Sequence, residues 1–168
     1  MRRRSWLKLG LGASAVLALG GGAVALIDPG WRSGRLTPGG RRVFMHAARA
    51  FLDGALPIAE AQRDRALAAF LDRTESLVAA LPVHAQGEIS QLLALLASTG
   101  GRRMLAGLQP DWPDASVAEV RQALQAMRLS SFALRQQAYQ ALHDITGAAY
   151  YSDASTWDIL GYPGPVPV

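Results

Sequence analysis

Histidine, paired carboxylates, nucleophilic serines and glycine-rich turns are the residue types that carry most enzyme chemistry, and this chain holds only some of them. Its three histidines are His46, His84 and His143. Each falls in a different helical segment, and none has a second ligand three or four residues away, the spacing that lets two imidazoles share a zinc ion. His46 lies by the apolar side of its helix and reads as a core or boundary residue. His143 and Asp144 are chain neighbours, which on a helix should point apart. No serine sits in a nucleophile elbow, and no G-x-G-x-x-G opens a helix. Asp53, Glu60, Asp64 and Asp72 could converge in space, but so could acids in any helical bundle, so they do not specify a general acid–base pair. The chain has no cysteine. That excludes disulfides, thiol nucleophiles and cysteine-held metal or iron–sulfur centres. The residues therefore predict no catalytic, cofactor-binding or metal-ligating set within this chain.

Charge narrows the possible partners. The formal net charge is +4, and Arg2, Arg3, Arg4 and Lys8 supply all of it. From residue 26 onward, 13 arginines balance 13 acids. A nucleic-acid footprint needs a basic face on the folded domain, so no nucleic-acid partner is expected. The pairs Arg41-Arg42 and Arg102-Arg103 read as solvated helix faces.

The C-terminal stretch "AAYYSDASTWDILGYPGPV" is the most distinctive part of the body. It holds three of the four tyrosines and one of the four tryptophans. Tyr and Trp cover large apolar area while keeping a polar group, which suits an interface. A Pro-Gly-Pro run is stiff and extended, so it loses little entropy on docking. Tyr150, Tyr151, Trp157, Tyr162, Pro163, Gly164 and Pro165 are the candidate partner-docking residues. Trp157 is expected to pack on the domain and Tyr162–Pro165 to face outward. A tail that only folds back to cap its own domain is the alternative.

The elements that must position this tail follow from apolar spacing. Thr37-Pro38 is a helix start, an N-cap followed by proline at the first helical position. The helix it opens puts Val43, Ala47, Ala50 and Phe51 on one side and stops at Gly54. A second helix, about 59–80, repeats Leu67, Phe70, Leu71, Thr74, Leu77 and Val78 at helical spacing. A third, about 84–98, carries Ile89, Leu92, Leu93 and Leu96. Residues 102–106 form a short turn before the loop "GLQPDWPDAS". Ser116 and Glu119 form a capping box for a fourth helix ending near Arg128. A fifth, about 130–150, places Phe132, Tyr139, Leu142, Ile145 and Ala149 on one broad face. A last helical turn is expected near 155–158. No segment alternates with period two over strand length. The fold class is all-α: about five helices in a compact bundle, with an irregular aromatic and Pro-Gly C-terminal tail. The expected organisation is a leader over 1–25, a linker over 26–36, a helical domain over 37–152 and a docking tail over 153–168.

The N-terminal segment has a charged start, an apolar stretch and small residues, the layout of a secretory signal. Ala23 and Ala25 frame an A-x-A cleavage site. Arg3-Arg4-Ser5-Trp6-Leu7-Lys8 resembles a twin-arginine signal, a receptor-read address, with Arg3, Arg4, Trp6, Leu7 and Lys8 as its readable positions. The glycines of the apolar stretch keep it only moderately hydrophobic. Leu9–Ile27 spans 19 residues, just long enough to cross a bilayer if it is not cleaved. The expected location is periplasmic, by the twin-arginine route, with membrane association through a complex or through that uncleaved segment.

Several stretches in order resemble one family: the twin-arginine start, "ARAFLDGALP", "LPVHAQGEISQLLALLAS", "GGRRMLAGL" and the closing "YYSDASTWDILGYPGP". The chain is similar to the small subunit of bacterial membrane-associated, FAD-dependent alcohol and sugar dehydrogenases, including the gluconate 2-dehydrogenase subunit 3 group. The resemblance implies a non-catalytic accessory subunit. In such complexes a large flavoprotein of the glucose-methanol-choline oxidoreductase type holds the FAD and oxidises the substrate. A cytochrome c subunit often accepts the electrons. The small subunit carries the signal that the twin-arginine translocase reads, and the folded flavoprotein travels with it. A membrane-tethered scaffold and an independent periplasmic helical protein or enzyme are the alternatives.

Overall fold

The computed structural model describes residues 28–157 together with Gly161, Tyr162 and Gly164. The leader positions Arg3, Arg4, Trp6, Leu7, Lys8, Ala23 and Ala25, and Pro163 and Pro165 of the tail, lie outside the described residues. The fold is mostly helical, as the apolar spacing predicts. Its five long helices are α1 (Pro38–Phe51), α2 (Glu60–Ala79), α3 (Val83–Ala97), α4 (Val117–Arg128) and α5 (Ala133–Tyr151). Among the described residues no helix is long and apolar enough to cross a membrane.

Helix α1 is the hub, packing against each of the other four. Its sequence explains why. Val43, Phe44, Ala47 and Ala48 are all fully buried, and alanines let neighbouring backbones approach on several sides. Thr37 caps it, its Oγ1 accepting from the Gly40 N–H at 3.4 Å. Gly54, at φ +92°, turns the chain away after its end, a backbone region glycine enters without strain.

The remaining boundaries follow local chemistry. Leu67, Phe70, Leu71, Thr74 and Val78 form the buried stripe of α2, and Leu93 and Leu96 that of α3. The Ser116–Glu119 capping box is formed in both directions. On α5, Leu142, Ile145 and Ala149 are buried, but Phe132 is 70% exposed. The reason is geometric: Phe132 is the extended N-cap, at ψ 115°, and the helix begins one residue later. It therefore sits outside the periodicity that places the others inward.

Three regions depart from the sequence expectation. Residues 28–36, whose composition reads as a linker, are docked on the domain as a hairpin. Strands β1 (Trp31–Arg32) and β2 (Arg35–Leu36) pair antiparallel, Trp31 opposite Leu36. Ser33 and Gly34 both have positive φ, 51° and 80°, the pattern of a type I′ turn. Strands of two residues are too short to show an alternation. The second departure is the loop after residue 106. It supplies Trp112, a fully buried side chain whose Nε1–H donates to the Leu96 carbonyl at 2.8 Å. The third is Arg102, which is not solvated but 5% exposed. A π-helical turn over Arg102–Ala106 directs it inward, where it donates to Asp111 Oδ1 at 2.7 Å and to the Leu108 and Gln109 carbonyls at 3.3 Å. A buried guanidinium is tolerable only when its donors are matched in this way. Arg103 beside it is exposed, as expected.

Candidate partner-docking site

The tail begins inside the core. Tyr150, near the end of α5, is 2% exposed, and its hydroxyl donates to the Ala55 carbonyl at 2.9 Å. Burial raises its pKa, with Tyr151 adding a smaller push in the same direction. Tyr150 is thus a core residue, contrary to its expected place among the docking residues. Its position on α5, one residue after buried Ala149, turns it toward the end of α1. Tyr151 is half-buried and meets Tyr150 edge-on, ring centroids 5.2 Å apart.

Beyond α5 the chain is held by a compact polar clamp. Asp153 caps the short 3₁₀ turn Ala154–Thr156 by accepting from the Ser155 N–H at 3.0 Å and from its hydroxyl at 2.7 Å. These two bonds hold the Asp153 carboxyl below the usual carboxylate range, and Arg73 adds to the effect. Arg73 on α2 ties the end of α5 to the cap of this turn. Its Nε–H donates to the Ala149 carbonyl at 2.7 Å and its Nη1 to Asp153 Oδ2 at 2.9 Å. Thr156 is buried, its hydroxyl donating to the Asp153 carbonyl at 2.7 Å. The sequence shows Arg73 only as a charge off the apolar stripe of its helix. A partner 80 residues away leaves no local mark.

The clamp presents the aromatic end. Trp157 is half-buried, and its Nε1–H donates to the Tyr151 carbonyl at 2.8 Å, so the indole packs on the domain as expected. Tyr162 lies edge-on to it at 5.4 Å and remains 47% exposed. Its backbone N–H donates to the Trp157 carbonyl at 3.2 Å. Gly164, at φ +94°, lies over the same ring, since a Cβ there would sit 3.5 Å from Trp157 Cζ3. Trp157 and Tyr162 therefore form an aromatic surface, with Gly164 against the indole, tied to the end of α5 through the Tyr151 carbonyl. An amphipathic, pre-ordered surface of this kind offers contact area at a small entropic cost.

The histidines and the other acids lie elsewhere. His46 lines a cleft of about 240 Å³ with Arg49 and the start of α4. Burial, followed by the Arg49 charge, holds its imidazole below the ordinary value. His143 and Asp144 do not point apart. Nδ1 and Oδ1 are 3.0 Å apart at the surface, and the His143 ring stacks on Tyr139 and meets Phe51 edge-on. Asp53 pairs with Arg121 and does not join Glu60, Asp64 or Asp72 in a carboxylate set; no group of three or more metal-ligating side chains converges among the described residues. A larger open cleft, about 600 Å³, lies between the hairpin and the start of α1, away from the aromatic surface. No protein-family model, curated protein or solved structure matches this chain.

Proposed function

We propose that this chain is the non-catalytic accessory subunit of a membrane-associated, FAD-dependent dehydrogenase of the glucose-methanol-choline type. In this reading it carries the folded flavoprotein through the twin-arginine pathway and holds it in a periplasmic complex, from which a cytochrome c subunit draws electrons. The FAD belongs to the partner.

One pairing carries the proposal: an Arg-Arg-Ser-Trp-Leu-Lys export signature at residues 3–8 on a chain that ends in a clamped, half-exposed aromatic surface. The signature addresses folded cargo. The surface has the composition of a docking face. A stable complex of this kind should bury roughly 1,200 Å² or more in total.

The test replaces Arg3 and Arg4 with lysine in the native host. Both this chain and the flavoprotein should then remain in the cytoplasm, measured by fractionation and immunoblotting. A flavoprotein that still reaches the periplasm would exclude the escort role.

A further inference from the structure

The far end of α5 carries a second surface of different chemistry. Six large hydrophobic side chains stand exposed among the described residues, and three of them, Met104, Leu129 and Phe132, at 68%, 68% and 70% exposure, lie on segments that pack together as one corner of the fold, the π-helical turn and the α4–α5 connection. Leu129 and Phe132 bound the short connection from α4 to α5. Met104 lies on the π-helical turn, which packs on both helices. Arg135, in the first turn of α5, ties that turn in place by donating from Nε to the Leu105 carbonyl at 2.7 Å.

The segments that build the corner hold no carboxylate. Residues 89–110 and 120–143 contain neither Asp nor Glu. Arg102 and Arg121 in these segments are matched by Asp111 and Asp53. Arg103, Arg128 and Arg135 pair with no carboxylate among the described residues, and Arg103 and Arg128 are exposed. The corner is thus apolar at its tip and cationic around it, although the body of the chain is neutral overall.

We infer that this corner docks on an anionic lipid surface. Leu129, Phe132 and Met104 enter the boundary between headgroups and acyl chains, and Arg103 and Arg128 face the lipid phosphates. Side chains that project this far suit a fluid phase, which closes around them without prior shape. A protein partner would need a matched area of roughly 800 Å² on each side, and the clefts described above lie elsewhere. The inference is independent of the proposed escort role and compatible with it. A helix of 19 residues separates Phe132 from the aromatic surface by about 28 Å at 1.5 Å per residue, so both can be occupied at once.

The absence of cysteine allows a single reporter. Ser131→Cys in the full chain, labelled with an environment-sensitive NBD dye, reads the corner while keeping Leu129 and Phe132. Ala69→Cys, one turn from Arg73 and so at the tail end, is the control. With vesicles of equal parts phosphatidylcholine and phosphatidylglycerol, the Ser131 dye should brighten and shift to the blue, and the Ala69 dye should not. Leu129→Ser with Phe132→Ser should abolish the response at unchanged helicity. Arg103→Gln and Arg128→Gln should each weaken partitioning about fivefold. Four results would overturn the inference. The first is an equal response at both positions, which places lipid contact elsewhere, including the leader. The second is an equal response to pure phosphatidylcholine. The third is a response that survives loss of Leu129 and Phe132. The last is a concentration-dependent shift without vesicles, which would assign the corner to a second copy of the chain.

Discussion

Single residues in this protein answer to their surroundings more than to their type. Tyr150 and Tyr162 belong to the same aromatic run, yet one is sealed in the core against the Ala55 carbonyl and the other half-exposed beside Trp157. Arg102 and Arg103 are neighbours, yet one is buried among three acceptors and the other solvated. His46 gives the residue-scale prediction. Its folded pKa is lowered, chiefly by burial. The unfolded chain therefore binds more protons below the ordinary imidazole value of about 6.5. His46 leaves stability undiminished above that value and subtracts from it as pH falls through and below it. Urea unfolding at pH 7.5 and at pH 5 should show a larger acid loss in the wild type than in His46→Gln. Equal losses would mean that His46 is not the group responsible. The apolar setting of His46 was legible in the sequence. Arg49 lies one turn on and its proximity was legible too, whereas Asp111, 65 positions away and opposing their effect, was not.

At the scale of elements, caps and stripes are local and were readable, whereas close approaches are not. Gly40 sits in the first turn of α1, where glycine ordinarily costs about 1 kcal/mol relative to alanine. Here a Cβ would lie 2.3 Å from the Gly30 carbonyl oxygen, and Gly30 itself is pressed to the Ser90 carbonyl by a 3.1 Å hydrogen bond. Gly40→Ala should therefore destabilise the protein by about 1–3 kcal/mol, the scale of overpacking, by moving the hairpin off α1 and α3. Gly87 in α3 meets nothing within 4 Å, and Gly87→Ala should stabilise by up to about 1 kcal/mol. Thermal melts of the two variants should move in opposite directions; a rise for both would remove the argument for a tight hairpin seat. The same hairpin shows why composition misled. Gly, Pro and Ser suit a type I′ turn as well as a linker. The difference lies in the Trp31 bonds to Ser90 and Gln86, some 55–59 residues away in the chain.

For the whole molecule, α5 joins two ends of different character: an aromatic surface clamped by Arg73 and Asp153, and an apolar corner whose own segments hold no carboxylate. Truncation after Leu160 removes Tyr162 but leaves Trp157 bonded to Tyr151. The shortened chain should keep its helical content by circular dichroism and lose most capture of the proposed flavoprotein partner in pull-downs. Undiminished capture would mean that the tail only covers its own domain. The sequence by itself determined the helical class, the five long helices and most of their boundaries, the capping box, and the position of every positive charge in excess. These are local quantities, set by period, cap chemistry and count. Only the tertiary structure decided that residues 28–36 are part of the domain, that Trp112 and Arg102 are interior, that Tyr150 is core, and that the turn bearing Met104 packs on α4 and α5. Each of these depends on a partner distant in the chain or on a turn whose direction no periodicity records, and burial is a property of the assembled surfaces, not of any one segment.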